Sequence, residues 1–298
     1  MKKMLFIMNP YSGKRRANKY LVEILEIFNR AGYQVTAHMT AGPGDATEVV
    51  KTLGIQMDIV VCCGGDGTFN ETVAGLLKAG ANVPVGYIPA GSTNDFAASL
   101  HLPTEPLEAA REIVEGEPIA YDAGSFCGRF FSYVASFGAF TRTSYTTPQS
   151  IKNALGHTAY VLSGISELSQ IRPEHIRLEI NGETVEDDFL FGAICNSTSV
   201  GGILTLDPKQ VDMADGKLEV LLVRSPKSLI ELTECIAAVQ SQQYNNCEMI
   251  TFRSGSEIRI TADPDMPWTL DGEREDGHAE ISVVNNHLAY RLVQKRRD

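Results

Sequence analysis

No stretch of this 298-residue sequence approaches the roughly 20 consecutive apolar residues that a bilayer-crossing helix needs, which excludes a transmembrane span. The apolar segment 4–8 behind Met-Lys-Lys is too short for a signal-peptide core. The six cysteines, at 62, 63, 127, 195, 235 and 247, contain no C-x-x-C pair and no paired Cys/His spacing that would suggest zinc. Reduced thiols in a cytoplasmic protein are expected. Six histidines are scattered without ligand spacing. Positive charge is also short: 26 Lys and Arg against 37 Asp and Glu leave a net charge of −11, which argues against nucleic acid as a partner. An anionic membrane repels the chain as a whole, with local basic clusters only at Lys2-Lys3, Lys14-Arg15-Arg16 and Lys295-Arg296-Arg297. No internal repeat or low-complexity segment is evident.

What the sequence does hold is a hydrophobic fraction of 43%, ample for substantial cores, over a length that suits two domains. The first 120 residues alternate between strand and helix. Strands are predicted at 4–9, 33–39, 59–63 and 85–89, and helices at 19–30, 44–53, 69–78, 95–100 and 106–115, the alternation of an α/β domain with a parallel sheet. From about residue 121 the pattern turns β-rich. Strands are predicted at 129–137, 177–180, 189–195, 218–223, 257–261 and 279–284, with helices at 151–168 and 226–240 and a hairpin turn at Asn181-Gly182. We read residues 121–298 as a β-sandwich-like second domain whose last residues are free to return to the first.

Three loops carry the chemistry. In Cys62-Cys63-Gly64-Gly65-Asp66-Gly67-Thr68-Phe69-Asn70-Glu71 a buried strand opens into a glycine cluster. Glycines there let backbone N–H groups approach an anion. A carboxylate amid such donors would repel a bare phosphate, so Asp66 makes sense if a divalent cation stands between them, and Mg²⁺ is expected with a nucleotide. Asn9-Pro10-Tyr11-Ser12-Gly13-Lys14 follows the first strand, Thr40 follows the second, and Gly91-Ser92-Thr93-Asn94-Asp95-Phe96 follows the strand ending at residue 89. All four therefore fall at strand ends, where open α/β sheets bind ligands. Each of the three loops has a plainer structural reading as a turn or a helix cap, and a lone Thr at 40 is weak evidence.

The series N-P-x-S-G, G-G-D-G-T-x-N-E and G-S-T-N-D-F, in this order, resembles the diacylglycerol kinase catalytic-domain family, which includes soluble bacterial lipid kinases and sphingosine kinases. In the second half, Asp212-Met213-Ala214-Asp215-Gly216-Lys217-Leu218 is similar to the family's D-G-K/x-L segment and Leu270-Asp271-Gly272-Glu273 to its D-G-E motif. The resemblance covers nearly the whole chain. It implies ATP binding by Asn9, Pro10, Tyr11, Ser12, Gly13, Thr40, Gly65, Asp66, Gly67, Thr68, Phe69, Asn70, Glu71 and Ser92. It implies that Asp66 and Asp95 organise the catalytic Mg²⁺, that Asp271 and Glu273 approach the acceptor hydroxyl from the other domain, and that a structural cation is held by Asp215 with backbone oxygens at Asp212 and Lys217. Serine at 92 and alanine at 214 depart from the commoner family residues. Glu273 is the first choice for the base that takes the hydroxyl proton, with Asp271 the alternative.

The expected activity is transfer of the γ-phosphoryl group of ATP to a lipid alcohol, diacylglycerol first, at the membrane surface by a cytoplasmic protein. Apolar residues Ile151, Leu155, Val161, Leu162, Ile165 and Leu168 of the predicted helix 151–168 would pack on the sandwich or line a lipid groove. Two alternatives stay open: an NAD kinase, which shares the G-G-D-G-T loop, and a nucleotide- or lipid-binding module without catalysis. A homodimer is left open as well.

Overall fold

The computed structural model describes residues 1–15, 17–138, 172–200 and 204–296. Its chain forms two compact units, one of Met1–Ala123 with His287–Asp298, the other of Gly124–Asn286. The predicted helix 151–168 lies outside the described residues.

In the first unit, β1 (Lys2–Met8), α1 (Leu21–Arg30), β2 (Tyr33–Met39), α2 (Asp45–Leu53), β3 (Ile59–Gly64), α3 (Asp66–Lys78), β4 (Val85–Pro89), α4 (Asp95–Ser99) and α5 (Pro106–Glu115) follow one another. The strands stand in the order β4-β3-β1-β2, all parallel, with Met4 opposite both Val35 and Ile59. Both faces of the central strands are buried, so they read as unbroken apolar runs. Met4, Phe6, Met8, Val61 and Cys63 pack with Ile24 and Phe28 of α1 and Ile113 of α5. The chain leaves β1 toward β2 on one side and returns to β3 on the other, so the carboxyl ends of β1 and β3 flank the topological switch point of the sheet.

The second unit is antiparallel. After β5 (Glu117–Phe126), shared between the units, come β6 (Arg129–Phe131), β7 (Val134–Gly138), β8 (Glu174–Ile180), β9 (Glu183–Cys195), β10 (Ser199–Val200), β11 (Leu204–Thr205), β12 (Leu218–Arg224), α6 (Leu229–Ser241), β13 (Ile250–Gly255), β14 (Glu257–Thr261), β15 (Trp268–Leu270), β16 (Glu273–Glu275) and β17 (Glu280–Gln294). Asn181 (φ 52°) and Gly182 (φ 80°) close the β8–β9 hairpin as expected of a two-residue turn with positive φ at both positions. The long β9 pairs with β8 along its first half and with β7 and β12 along its second. Alternate residues from these strands, among them Phe137, Leu178, Phe189, Val220, Ile260 and Val283, enclose one core centred on Trp268, whose ring lies 4.9 Å from both Phe126 and Phe137. The second unit is thus β-sandwich-like and the first α/β.

The structure departs from the sequence pattern at three instructive points. The predicted strand 129–137 is broken at Ser132 and Tyr133, whose amides turn away from the sheet to the carboxylate of Asp271. The helix expected from residue 69 begins at Asp66, because the glycines before it allow an abrupt turn out of β3. The strand expected to end at 284 continues to Gln294, and its last part joins the first unit's sheet with Leu292 beside Val85.

Helices α2 and α3 approach closely through Gly75. A Cβ there would lie 2.8 Å from the Thr47 carbonyl oxygen and 2.8 Å from Val50 Cβ. Alanine should gain up to about 1 kcal/mol of helix propensity and lose more to the overlap. We expect Gly75→Ala to be destabilised by about 1–2 kcal/mol in urea unfolding; a variant as stable as the parent would show that the helices can separate freely.

Candidate active site

The loops after β1, β3 and β4 meet in the first unit at the level of the backbone. Asn9 follows β1, and its amide donates to the Cys63 carbonyl at 3.0 Å. Its side chain does two further things: Oδ1 accepts from the Tyr11 amide at 2.9 Å, and Nδ2 donates to Thr68 Oγ1 at 3.2 Å. Gly13 has a φ of +45°, and a Cβ on it would stand 2.1 Å from the Ala90 carbonyl oxygen. A Cβ on Gly91 would stand 2.7 Å from Gly65 Cα. No residue but glycine lets these three loops close on one another.

Asp66 sits where they join. Its carboxylate accepts from the amides of Asp95 at 3.0 Å and Phe96 at 3.4 Å, and from the Tyr87 hydroxyl at 3.5 Å. It thus caps α4 from a distance, since Asn94, the residue at the helix start, has a φ of 55° and makes no side-chain cap. Asn94 instead clamps Gly91, accepting from its amide at 2.8 Å and donating to its carbonyl at 3.2 Å. Burial is the main reason that the Asp66 carboxyl is pushed up to about 6, and the charge of the buried Asp95 adds to the shift against the amide bonds. No side chain caps the start of α3. Gly65 has no side chain to close off the first-turn amides of Asp66, Gly67 and Thr68.

The remaining residues of the expected nucleotide set divide in two. Tyr11 and Ser92 are exposed, Pro10 accepts from Asn18 Nδ2 at 3.0 Å, Ser12 is half-buried, and Thr40 is buried with its amide on the Met8 carbonyl at 2.8 Å. Phe69 and Glu71 have side chains engaged in the fold. Phe69 stacks 4.6 Å from Phe96 and 4.5 Å from Tyr87, and the Glu71 carboxylate accepts from the amides of Gly44 and Ala46 at the start of α2. Asn70 is buried beside them in α3.

Asp271 and Glu273 belong to the second unit and flank a hairpin turn. Asp271 (φ 50°) and Gly272 (φ 86°) form the two-residue connection between β15 and β16, with Leu270 opposite Glu273. The Asp271 carboxylate, 4% exposed, accepts from three amides: Ser132 at 2.6 Å, Tyr133 at 3.0 Å and Val134 at 2.9 Å. Glu273 is more open and receives Arg129 Nη2 at 2.7 Å, while the other arm of Arg129 binds Glu275. Sequence reasoning missed Arg129, because its partners lie more than 140 positions away; it missed Tyr87 because a tyrosine in an apolar strand reads as core.

Elsewhere in this unit, Asp212 Oδ1 accepts from the Ala214 amide at 3.0 Å and Asp215 Oδ1 from the Lys217 amide at 2.9 Å. The Lys217 carbonyl accepts from Asn285 Nδ2 at 2.8 Å. Among the described residues, no three acidic, histidine or cysteine side chains form a ready cage for a metal.

Comparison with known proteins gives two family matches. The diacylglycerol kinase catalytic domain matches residues 3–126, and the YegS C-terminal NAD kinase beta sandwich-like domain matches residues 134–288. The diacylglycerol kinase of Bacillus subtilis (strain 168) is 31% identical over 275 residues, which span 92% of this chain and 90% of that protein. That of Staphylococcus saprophyticus is 30% identical over 273 residues, 91% of this chain and 89% of the relative. A crystal structure of a diacylglycerol kinase from Bacillus anthracis str. Sterne shares the fold with a TM-score of 0.76 at 20% identity, covering 99% of this chain and 97% of that one.

The raised Asp66 carboxyl has a consequence for stability. Its folded pKa of about 6 lies above the ordinary 3.8, so the folded state keeps a proton that the unfolded chain has lost. The resulting stabilisation is full below about pH 4 and gone once the pH rises through about 6. In chelator, the parent should lose up to about 3 kcal/mol over this range relative to Asp66→Asn, which retains an acceptor for the two amides. Thermal melts of both proteins from pH 4 to 8 check this, and parallel profiles would refute it.

Proposed function

Since the chain belongs to the diacylglycerol kinase family, we propose that it transfers the γ-phosphoryl group of ATP to a lipid hydroxyl, with diacylglycerol as acceptor and phosphatidic acid as product. The observation that carries this reading is the closure of three glycine-bearing loops around Asp66 at the switch point of a parallel sheet. Phosphoryl transfer asks a protein mainly for positioning and charge neutralisation, with a base for the acceptor proton.

On this reading the first-turn amides of α3 and the Asn9–Gly13 loop hold the triphosphate, and Ser92 and Thr40 border it. Asp66 and Asp95 would hold Mg²⁺. The two carboxylates suit it, because burial and mutual repulsion raise the Asp66 carboxyl and a cation would relieve both. Bound there, the ion would supply charge neutralisation of the phosphate oxygens. Asp66 itself is oriented before any ligand arrives, since the amides of Asp95 and Phe96 fix its oxygens. A second cation, structural in role, suits the oxygen donors of Asp215 and the Asp212 and Lys217 carbonyls, the last already aimed by Asn285.

The two candidate bases separate on chemistry. A carboxylate that already accepts three amide hydrogens gains little by taking a fourth proton, so Asp271 serves the turn and the break between β6 and β7. Glu273 has an accessible oxygen and a single cationic partner, and we assign it the acceptor proton. Arg129 positions it, holding Glu273 and Glu275 on its two arms. The lipid is met at a membrane surface, for among the described residues no helix is long and apolar enough to cross one.

Glu273→Gln should lower kcat by roughly 10²–10⁴-fold with an unchanged melting temperature. Asp271→Asn, in contrast, should lose about 1–3 kcal/mol of stability, because its amide nitrogen cannot accept the hydrogens that the lost oxygen took. Full activity in the first variant would reject the base assignment. The function itself is tested by transfer from labelled ATP to a panel of lipid alcohols in mixed micelles, with and without Mg²⁺. Diacylglycerol should be labelled only with the cation present; labelling of NAD and of no lipid would overturn the reading.

A further inference from the structure

Two thiols of the second unit face each other at a place that phosphoryl transfer does not use. Cys235 lies in the middle of α6, and Cys247 follows the single turn Tyr244–Asn246 that leads into β13. Each is 5% exposed, and their sulfurs are 3.6 Å apart across twelve positions of sequence. Helix α6 is buried along a narrow stripe of Leu232, Cys235 and Ala238, while Ile230, Thr233, Glu234 and Ala237 are exposed. The turn on the other side of the pair is better seated. Gln242 Nε2 and the Tyr244 hydroxyl both donate to the Thr205 carbonyl, at 3.1 and 3.2 Å, and the Tyr244 ring stacks 5.1 Å from Phe252.

A disulfide is about 2.05 Å long, so the two sulfurs need to close by about 1.5 Å, a distance that rotation about the Cα–Cβ bonds can supply. We propose that Cys235 and Cys247 form a reversible disulfide when the protein meets hydrogen peroxide, pinning α6 to the seated turn. One thiol attacks the peroxide: an S–O bond forms, the O–O bond breaks, and the thiol proton leaves with the departing oxygen as water. The second sulfur then displaces the hydroxyl of the sulfenic acid, and that hydroxyl leaves with the second thiol proton as another water. The two thiols give up two electrons, and the peroxide takes them. The Cys235 thiol is pushed up to about 12, chiefly by burial and next by its contact with Cys247, so little thiolate is present and the step is slow at neutral pH. Such a pair stays reduced in a reducing compartment and closes only under oxidative load, the usual pattern for a cytosolic disulfide.

The full chain carries its own readout. Trypsin cleaves after Lys227 and Arg253 and nowhere between, so both thiols fall on one peptide, 228–253. After treatment with hydrogen peroxide this peptide should be two hydrogens lighter and escape alkylation at both cysteines, and dithiothreitol should restore both thiols. Oxygen added at Met249 of the same peptide is told apart by its mass. The exposed Cys127 gauges how far the peroxide has acted. The oxidised parent should melt roughly 5–10 °C higher than the reduced one, because the link constrains the unfolded chain. Cys235→Ser and Cys247→Ser should show no such gain, with Cys235→Ala in place of a serine variant that does not fold. Both thiols still open to alkylation once Cys127 is oxidised, or oxidation at either that dithiothreitol does not reverse, would overturn the proposal. A disulfide without a gain in melting temperature would overturn the pinning of α6.

Discussion

A carboxylate that gathers backbone amides is the device on which both units depend. Asp66 holds the first amides of α4 against the end of β3, beyond the loop that Asn94 clamps at Gly91. Asp271 holds three amides at the gap between β6 and β7 and so decides where that strand breaks. Glu71 does the same for the start of α2, and Asp122 for the Leu288 amide at 2.7 Å. Each bond is between a charge and a dipole in partly dry surroundings, where such bonds are stronger than neutral ones.

This use of acids sorts the site. A carboxylate saturated by amides is fixed in place and is a poor base. One with oxygen to spare is available for chemistry. Asp271 belongs to the first group, and Glu273, half-exposed and paired with Arg129, is the carboxylate proposed for the second. Asp66 has both properties: its oxygens are oriented by amides, yet burial and Asp95 leave it short of positive charge. That combination fits the role proposed for Asp66, a group in position before a metal-bound triphosphate would arrive.

Much of the fold was legible in the sequence. The alternation of apolar runs with helical spacing over residues 4–115 marked the parallel α/β order, since strands buried on both faces have little choice of residue. The Asn181-Gly182 turn was legible because positive φ at two successive positions demands such residues. The short strands β13, β15 and β16 were missed. They are three to six residues long, and β16 carries no apolar pattern at all, being held by its register with β15.

The sequence by itself determined which chemical groups stand at the strand ends and in what order, because glycines, hydroxyls and carboxylates next to an apolar run are local signals. Only the tertiary structure decided what each carboxylate does. Asp66 meets its amides 29 positions along the chain, and Asp271 meets Ser132 from 139 positions away. A side chain's capacity to bind a proton or a metal depends on how many donors already surround it, and those donors are brought by the fold, not by its neighbours in sequence.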